Sequence, residues 1–228
     1  MTATAHSQIS ALLVDDHAVV REGYRRLLER RGDIAVVAEA HDAANAYRLY
    51  CDLAPRVVIM DITLPGLSGL ECMRRMLARD ANARVLIFSM HEDAIFAKRA
   101  LSAGALGYVT KASAPEVLVE AVHCVANGQR YLSTQIAQHL ALGDLSPESG
   151  AAHKLSAREF EVMTLLAQGL DATTIATKMS LSPKTVANHQ TSIKQKLRVT
   201  NSVQLLKFAV SLGLTAPATV RASHFIPE

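Results

Sequence analysis

The sequence predicts a doubly wound α/β domain with a five-stranded parallel sheet, followed by a small all-α domain of four helices. Three observations carry this. Apolar runs that do not alternate (ISALLV, IAVVAEA, RVVIM, RVLIF, GYV) are each followed by a stretch of helical period, as expected of strands buried on both faces of a parallel sheet. Residues 143–152 (GDLSPESGAA) then hold Gly, Ser, Pro and Ala with hardly any large apolar side chain. Beyond them the pattern is helical only.

In chain order, the first run starts at Ile9 and precedes Val20, Tyr24, Leu27 and Leu28 at helical spacing. IAVVAEA precedes a helix near 43–53, RVVIM one near 68–79, RVLIF one near 93–103, and GYV one after Pro115. These place the α/β domain at residues 8–128. Residues 129–152 read as a linker in which YLSTQIAQHLAL forms one short helix. In the second domain, 153–213, Ser156 and Glu159 form a capping box for a helix to about Gln168, stopped by Gly169. Asp171 caps a second helix to Met179, and Ser182 caps a third that has Pro183 at its first position. A fourth helix runs from about Ser202 to Leu212, and residues 214–228 read as a loose tail. The linker composition predicts few contacts between the domains.

Composition narrows the function classes. With 228 residues, 50% hydrophobic and 20% charged, the chain can bury two cores, and disorder over most of its length is excluded. No window approaches eighteen consecutive apolar residues, and the first ten lack the pattern of a secretory signal, so a cytoplasmic protein without a membrane partner is expected. Cys51, Cys72 and Cys124 are widely spaced and odd in number, which argues against a disulfide framework or a cysteine zinc site. Absence of Trp and 4% aromatics argue against a stacking platform. Charge divides unevenly: residues 1–128 carry 14 Lys/Arg against 15 Asp/Glu, and residues 153–213 carry 8 against 3. Two modules with different partners follow.

Asp15 and Asp16 end the first predicted strand, and Asp61 ends the third, just before the Leu64-Pro65-Gly66 turn. A parallel sheet brings these acids to one edge. Three converging carboxylates repel unless a cation neutralises them, and an all-oxygen site suits Mg²⁺. Ser89, after the fourth strand, and Lys111, after the fifth, reach the same edge. A hydroxyl and an ammonium facing carboxylates and Mg²⁺ make a site for a phosphoryl group, with Asp61 able to attack phosphorus. Tyr108, two places before Lys111, is either core packing or a side chain that swings as the site fills.

In the basic domain only Ser180 to Ser182 separate the second and third helices, which is a helix-turn-helix signature. Val186, Gln190, Ile193 and Leu197 form the inward stripe of the third helix. Its outward and N-terminal residues Lys184, Thr185, Ala187, Asn188, Thr191 and Lys194 are the candidate contacts to double-stranded DNA, with Gln195 on the same face.

These motifs together resemble a known family. Residues about 8–128 resemble the flavodoxin-like receiver domain of two-component response regulators, on the acidic pair, D-I-T-L-P-G, S-M-H-E-D and G-A-L-G-Y-V-T-K. Residues about 153–213 resemble the LuxR-type helix-turn-helix, on L-S-A-R-E and S-P-K-T-V-A-N-H, making a NarL/FixJ-type architecture. The resemblance implies that Asp61 is the phosphoacceptor and that Asp15, Asp16, Asp61 and the Thr63 backbone carbonyl bind Mg²⁺. It implies Ser89 and Tyr108 as a switch pair and Lys111 as the contact to the phosphoryl group. Implied partners are a sensor histidine kinase and a second copy of the chain on DNA. Four positions depart from the family pattern: Leu64, Ala112 in place of a proline, Ala187 in place of a long polar side chain, and Arg198 where a glycine closes the recognition helix. At Arg198 either the helix ends differently or arginine accepts a strained positive φ.

The expected function is a transcription factor whose unphosphorylated receiver covers or misplaces the recognition helix. Two other classes compete. An aspartyl-phosphate phosphatase needs a general-acid Asp two residues after the nucleophile, where this chain has Thr63. A protein adaptor with a degenerate DNA-binding domain draws some support from Ala187.

Overall fold

The computed structural model describes residues 8–92, 94–142, 154–212 and 214. The first domain alternates β1 (Ile9–Val14), α1 (Ala18–Glu29), β2 (Ile34–Ala40), α2 (Ala43–Leu53), β3 (Val57–Met60), α3 (Gly69–Arg79), β4 (Val85–Ser89), α4 (Ala94–Ser102), β5 (Gly107–Thr110) and α5 (Pro115–Ala126). It continues through β6 (Tyr131–Leu132) and α6 (Thr134–Leu142). The sheet is parallel throughout, in the order β2-β1-β3-β4-β5-β6. Residues along each strand point alternately to two cores, which is why the apolar runs do not alternate in polarity. Leu12, Val14, Val58, Met60, Val85 and Ile87 face α2, α3 and α4. Leu13, Val57, Ile59, Leu86, Phe88 and Val109 face α1 and α5.

The five strands read from the sequence are all present. A sixth, β6, lies inside the segment assigned to the linker, and α6 follows it as the short helix anticipated there. Tyr131 N–H donates to Leu106 O at 3.0 Å and Ser133 N–H to Tyr108 O at 3.1 Å, so this stretch is stitched to β5. Two residues are too few to show a period, which is why the strand does not register in the pattern. Residues 143–153 lie outside the described residues.

The second domain comprises α7 (Ala157–Ala167), α8 (Ala172–Lys178), α9 (Pro183–Leu197) and α10 (Ser202–Ser211). The local signals hold at atomic detail. Ser156 and Glu159 make a reciprocal capping box, and the side chains of Asp171 and Ser182 accept from the backbone N–H groups of Thr174 and Thr185. Gly169 leaves α7 with φ +84°. Phe160, Met163, Ile175, Val186, Ile193 and Leu205 fill the core. Leu214, placed at the start of the tail, is buried and its N–H donates to Ala209 O at 3.0 Å, so it closes α10. Residues 215–228 lie outside the described residues. Among the described residues no helix is long and apolar enough to cross a membrane.

Glu159 does more than cap. Its carboxylate also accepts from Ser192 Oγ at 2.6 Å and Lys196 Nζ at 2.7 and 2.8 Å, tying α7 to α9. Burial pushes this carboxyl up, but the Lys196 and Ser192 bonds and the Ser156 cap outweigh it and hold it down at about 2. A depressed carboxylate stabilises the fold above its unfolded value, and that share is lost as pH falls from about 4.5 toward 2. Glu159→Ala is expected to destabilise the domain by about 2 kcal/mol at pH 7, discounted because Lys196 is partly exposed. The deficit relative to wild type should shrink as pH falls through that window, read by urea unfolding.

Arg198 ends α9 in the left-handed conformation, φ +56° and ψ 39°, with its N–H on the Gln195 and Lys194 carbonyls. The helix therefore ends as the family pattern has it, and arginine accepts the strain. Arg198→Gly is expected to stabilise the protein by about 1 kcal/mol, seen as a higher urea midpoint at unchanged slope.

Candidate phosphoacceptor site and nucleic-acid interface

Reversal of the strand order between β1 and β3 opens a crevice at the carboxyl edge of the sheet. Asp15 follows β1 with its N–H on Ala40 O, and Asp61 follows β3 with its N–H on Val14 O, so both acids are fixed by the backbone ladder. Asp15, Asp61, Ser89 and Tyr108 are buried, at 2%, 5%, 0% and 0% exposure, while Asp16 is exposed. Lys111 spans the edge: its ammonium lies 2.5 Å from Asp61 Oδ2 and also bonds Asp15 Oδ2.

Burial pushes the Asp61 carboxyl up, with Asp15 adding to the rise and Lys111 opposing it. Burial works against charge on Lys111 too, but the two carboxylates outweigh it and hold the ammonium above its usual value. Three carboxylates against one ammonium leave the edge negative. Oxygen atoms dominate the donor set, which fits a hard dication. Within it, ligand atoms of Asp15, Asp16 and His17 lie inside 4.8 Å of one another, and Asp61 is joined to that group through Lys111.

Thr63 N–H donates to Asp61 Oδ1 at 3.3 Å. Ser89 Oγ accepts from the His91 N–H at 3.3 Å, and the Tyr108 hydroxyl donates to His91 O at 2.8 Å. Both switch candidates thus hold the β4–α4 loop. Tyr108 is packed within the core beneath it.

Two further residues at the site have roles that the sequence pattern does not reveal. Gly69 starts α3 against the loop that follows β3: its N–H donates to Ile62 O at 2.8 Å, and a Cβ there would stand 1.8 Å from Asp61 O. His91 stacks on Phe96 at 3.8 Å and lies 3.4 Å from Thr63 Oγ1. Burial pushes its imidazole down to about 4, with Lys178 and Lys111 adding to the fall, so it is neutral at pH 7.

The second domain docks on the first, contrary to the expectation of few contacts between them. Phe160 meets Phe96 edge-on at 5.0 Å, and the Arg99 guanidinium lies 4.5 Å over the Phe160 ring while donating to Leu155 O at 2.6 Å. Arg158 donates to Leu64 O at 2.6 Å, to Gly66 O at 2.6 and 3.0 Å, and to Glu161 Oε2 at 2.6 Å. Burial pushes the Glu161 carboxyl up to about 7, with Arg158 opposing and Asp61 adding to the rise. Between the apposed domains lies a cleft of about 490 Å³, open to solvent, whose wall includes Asp61, Thr63, Lys111, Glu161 and Lys178. Composition could not reveal this seam, because it is made by side chains of α4 and α7 and not by the linker.

On α9, Lys184, Ala187, Asn188 and Thr191 are exposed, and Thr185 and Lys194 are half-buried. The Thr185 hydroxyl pairs with Ser182 Oγ at 2.8 Å, and the Thr191 hydroxyl donates to Ala187 O at 3.1 Å. Lys184, Ala187 and Asn188 therefore keep their side chains uncommitted. The receiver covers α7 and leaves the outward face of α9 open, so docking does not mask that face.

Residues 11–123 match the response regulator receiver domain, and residues 153–209 match the luxR family of bacterial regulatory proteins. This chain belongs to the response regulators. The response regulator UvrY of Escherichia coli strain K12 is 36% identical over 214 residues, covering 93% of this chain and 98% of that one. The response regulator GacA of Pseudomonas aeruginosa is 37% identical over 213 residues, 92% of this chain and 100% of that one. Among solved structures, a LuxR-family response regulator from Aurantimonas is 53% identical with a TM-score of 0.58, over 59% of this chain and 96% of that one. RcsB from Salmonella enterica serovar Typhimurium, bound to promoter DNA in the presence of the phosphomimetic BeF3−, has a TM-score of 0.62 at 25% identity, over 90% of this response regulator and 100% of that chain.

Proposed function

We propose that this response regulator is a transcription factor switched by phosphorylation of Asp61. The observation that carries the reading is the buried Asp61–Lys111 contact of 2.5 Å at the crevice, in a chain whose second domain presents an open basic helix face. Asp61 supplies the oxygen that bonds to phosphorus as the bond from phosphorus to the donor breaks, and a sensor histidine kinase is the donor the family implies. Lys111 holds a phosphoryl oxygen once Asp61 no longer engages it as an anion. Asp15, Asp16, Asp61 and the Thr63 carbonyl would hold Mg²⁺, which when bound neutralises phosphoryl oxygens. Thr63 occupies the place where a phosphatase needs an acid, and its neighbour His91 is neutral at pH 7. Slow loss of the acyl phosphate, as suits a signal, follows.

Promoter DNA in the RcsB structure supports double-stranded DNA as the partner of the second domain. Val203, Leu206 and Val210 are exposed along one side of α10 at spacings of three and four residues, which supports a two-fold dimer reading paired half-sites. A cytoplasmic location follows from these partners.

The two open polar residues of α9 are expected to differ in kind. Lys184 lies in the first turn, where a cation gains nothing from the helix dipole and is better matched by a DNA phosphate. Lys184→Ala should weaken all DNA alike and reduce the salt slope by about one. Asn188 carries an amide able to bond both N6 and N7 of adenine. Asn188→Ala should cost about 1–3 kcal/mol on a site selected from random DNA and little on scrambled DNA. Titrations on both DNAs at several salt concentrations decide it, and equal losses on both for Asn188→Ala would remove this face from base reading.

A further inference from the structure

We propose that the second domain completes the phosphoacceptor site of the docked protein, with Arg158 positioning the β3–α3 loop and the Glu161 carboxylate resisting negative charge on Asp61. This rests on Asp61 being the acceptor. Arg158 makes three hydrogen bonds to the carbonyls of Leu64 and Gly66, in the loop that runs from Asp61 through Thr63. Its guanidinium is 11% exposed and pairs with Glu161, itself 4% exposed. Only one oxygen of Glu161 is satisfied: Oε1 is buried without a hydrogen-bond partner, and the residue lines the same cleft as Asp61.

Before phosphorylation, Arg158 pairs with the carboxylate and grips the loop, and Arg99 also favours the charge on Glu161. Transfer to Asp61 places a phosphoryl group of nearly two negative charges in the cleft that Glu161 also lines, and Glu161, held by Arg158 through Oε2, has no donor on Oε1. Two cations face that space. Lys111 stays on Asp15 and turns to the phosphoryl oxygens, and Lys178 is exposed to solvent, which screens it, so neither offsets Glu161. Glu161 sits in a packed helix and withdraws only with α7. That motion lifts Arg158 off Gly66 and Phe160 off Phe96, releasing the domain. Linkage makes the effect mutual, so docking must also disfavour phosphorylation.

The experiment compares the full-length wild type with Glu161→Gln and Arg158→Ala at about pH 8, where a carboxyl with a value near 7 is ionised. Phosphoramidate with Mg²⁺ is the donor, Asp61 labelling is read by mass, and affinity is read on selected DNA. Wild type should gain roughly 10- to 100-fold in affinity on labelling. Arg158→Ala should bind tightly without the donor. Glu161→Gln, which keeps the shape and removes the charge, should label about threefold faster than wild type and gain less than about threefold in affinity, remaining docked. Tight binding by unlabelled Glu161→Gln would show that Glu161 only supports Arg158, and an undiminished gain would show that it takes no part. Either overturns the proposal while leaving Asp61 as acceptor. Failure of wild type to label at Asp61 overturns both.

Discussion

Acetyl phosphate with Mg²⁺ is expected to add one phosphoryl group to the wild-type chain and, in Asp61→Asn, to leave less than about 1% of that labelling. An amide has the shape of the carboxylate without its nucleophilic oxygen, so chemistry is lost while packing remains. Stability should move the other way. Folding raises the Asp61 carboxyl above its ordinary value, so its ionisation weakens the fold as pH rises through that interval. Asp61→Asn removes the ionisation and leaves Lys111 bonded to Asp15. Its urea midpoint at pH 7 should therefore equal or exceed that of wild type. Undiminished labelling of Asp61→Asn in a mass spectrum would place the acceptor elsewhere.

Gly69→Ala should damage both fold and site. The added methyl would stand 1.8 Å from Asp61 O and 2.9 Å from Asp61 C, and both are backbone atoms that cannot rotate away. Relief requires α3 and the acceptor loop to separate, breaking the bond from Gly69 N–H to Ile62 O. A loss of about 3 kcal/mol is expected, with Asp61 labelling more than about tenfold slower. Gly23 provides the control. It lies within α1 with nothing within 4 Å of a built Cβ, so Gly23→Ala should stabilise by up to about 1 kcal/mol and leave labelling unchanged. Similar behaviour of the two variants would contradict the close-approach account.

The parts of this molecule legible in its sequence are those set by local chemistry or by sheet geometry. Caps at Ser156, Asp171 and Ser182 act over three residues, so they can be read along the chain. The acidic edge is legible because a parallel sheet must bring the ends of β1, β3, β4 and β5 together, whatever the loops do. What escaped the sequence depends on distant pairings. His91 meets Thr63 across 28 positions and Arg158 meets Gly66 across 92, and neither contact leaves a periodic or compositional trace. Nothing in the sequence links Phe96 to Phe160, yet their contact carries the seam between the two domains.

The most direct test of the central claim is the affinity of the full-length protein for DNA selected from a random pool, measured with and without acetyl phosphate, with Asp61→Asn beside it. The account predicts that the donor tightens wild-type binding by roughly tenfold or more and leaves Asp61→Asn unchanged. Equal affinities for labelled and unlabelled wild type would contradict it, even if both bound the site tightly.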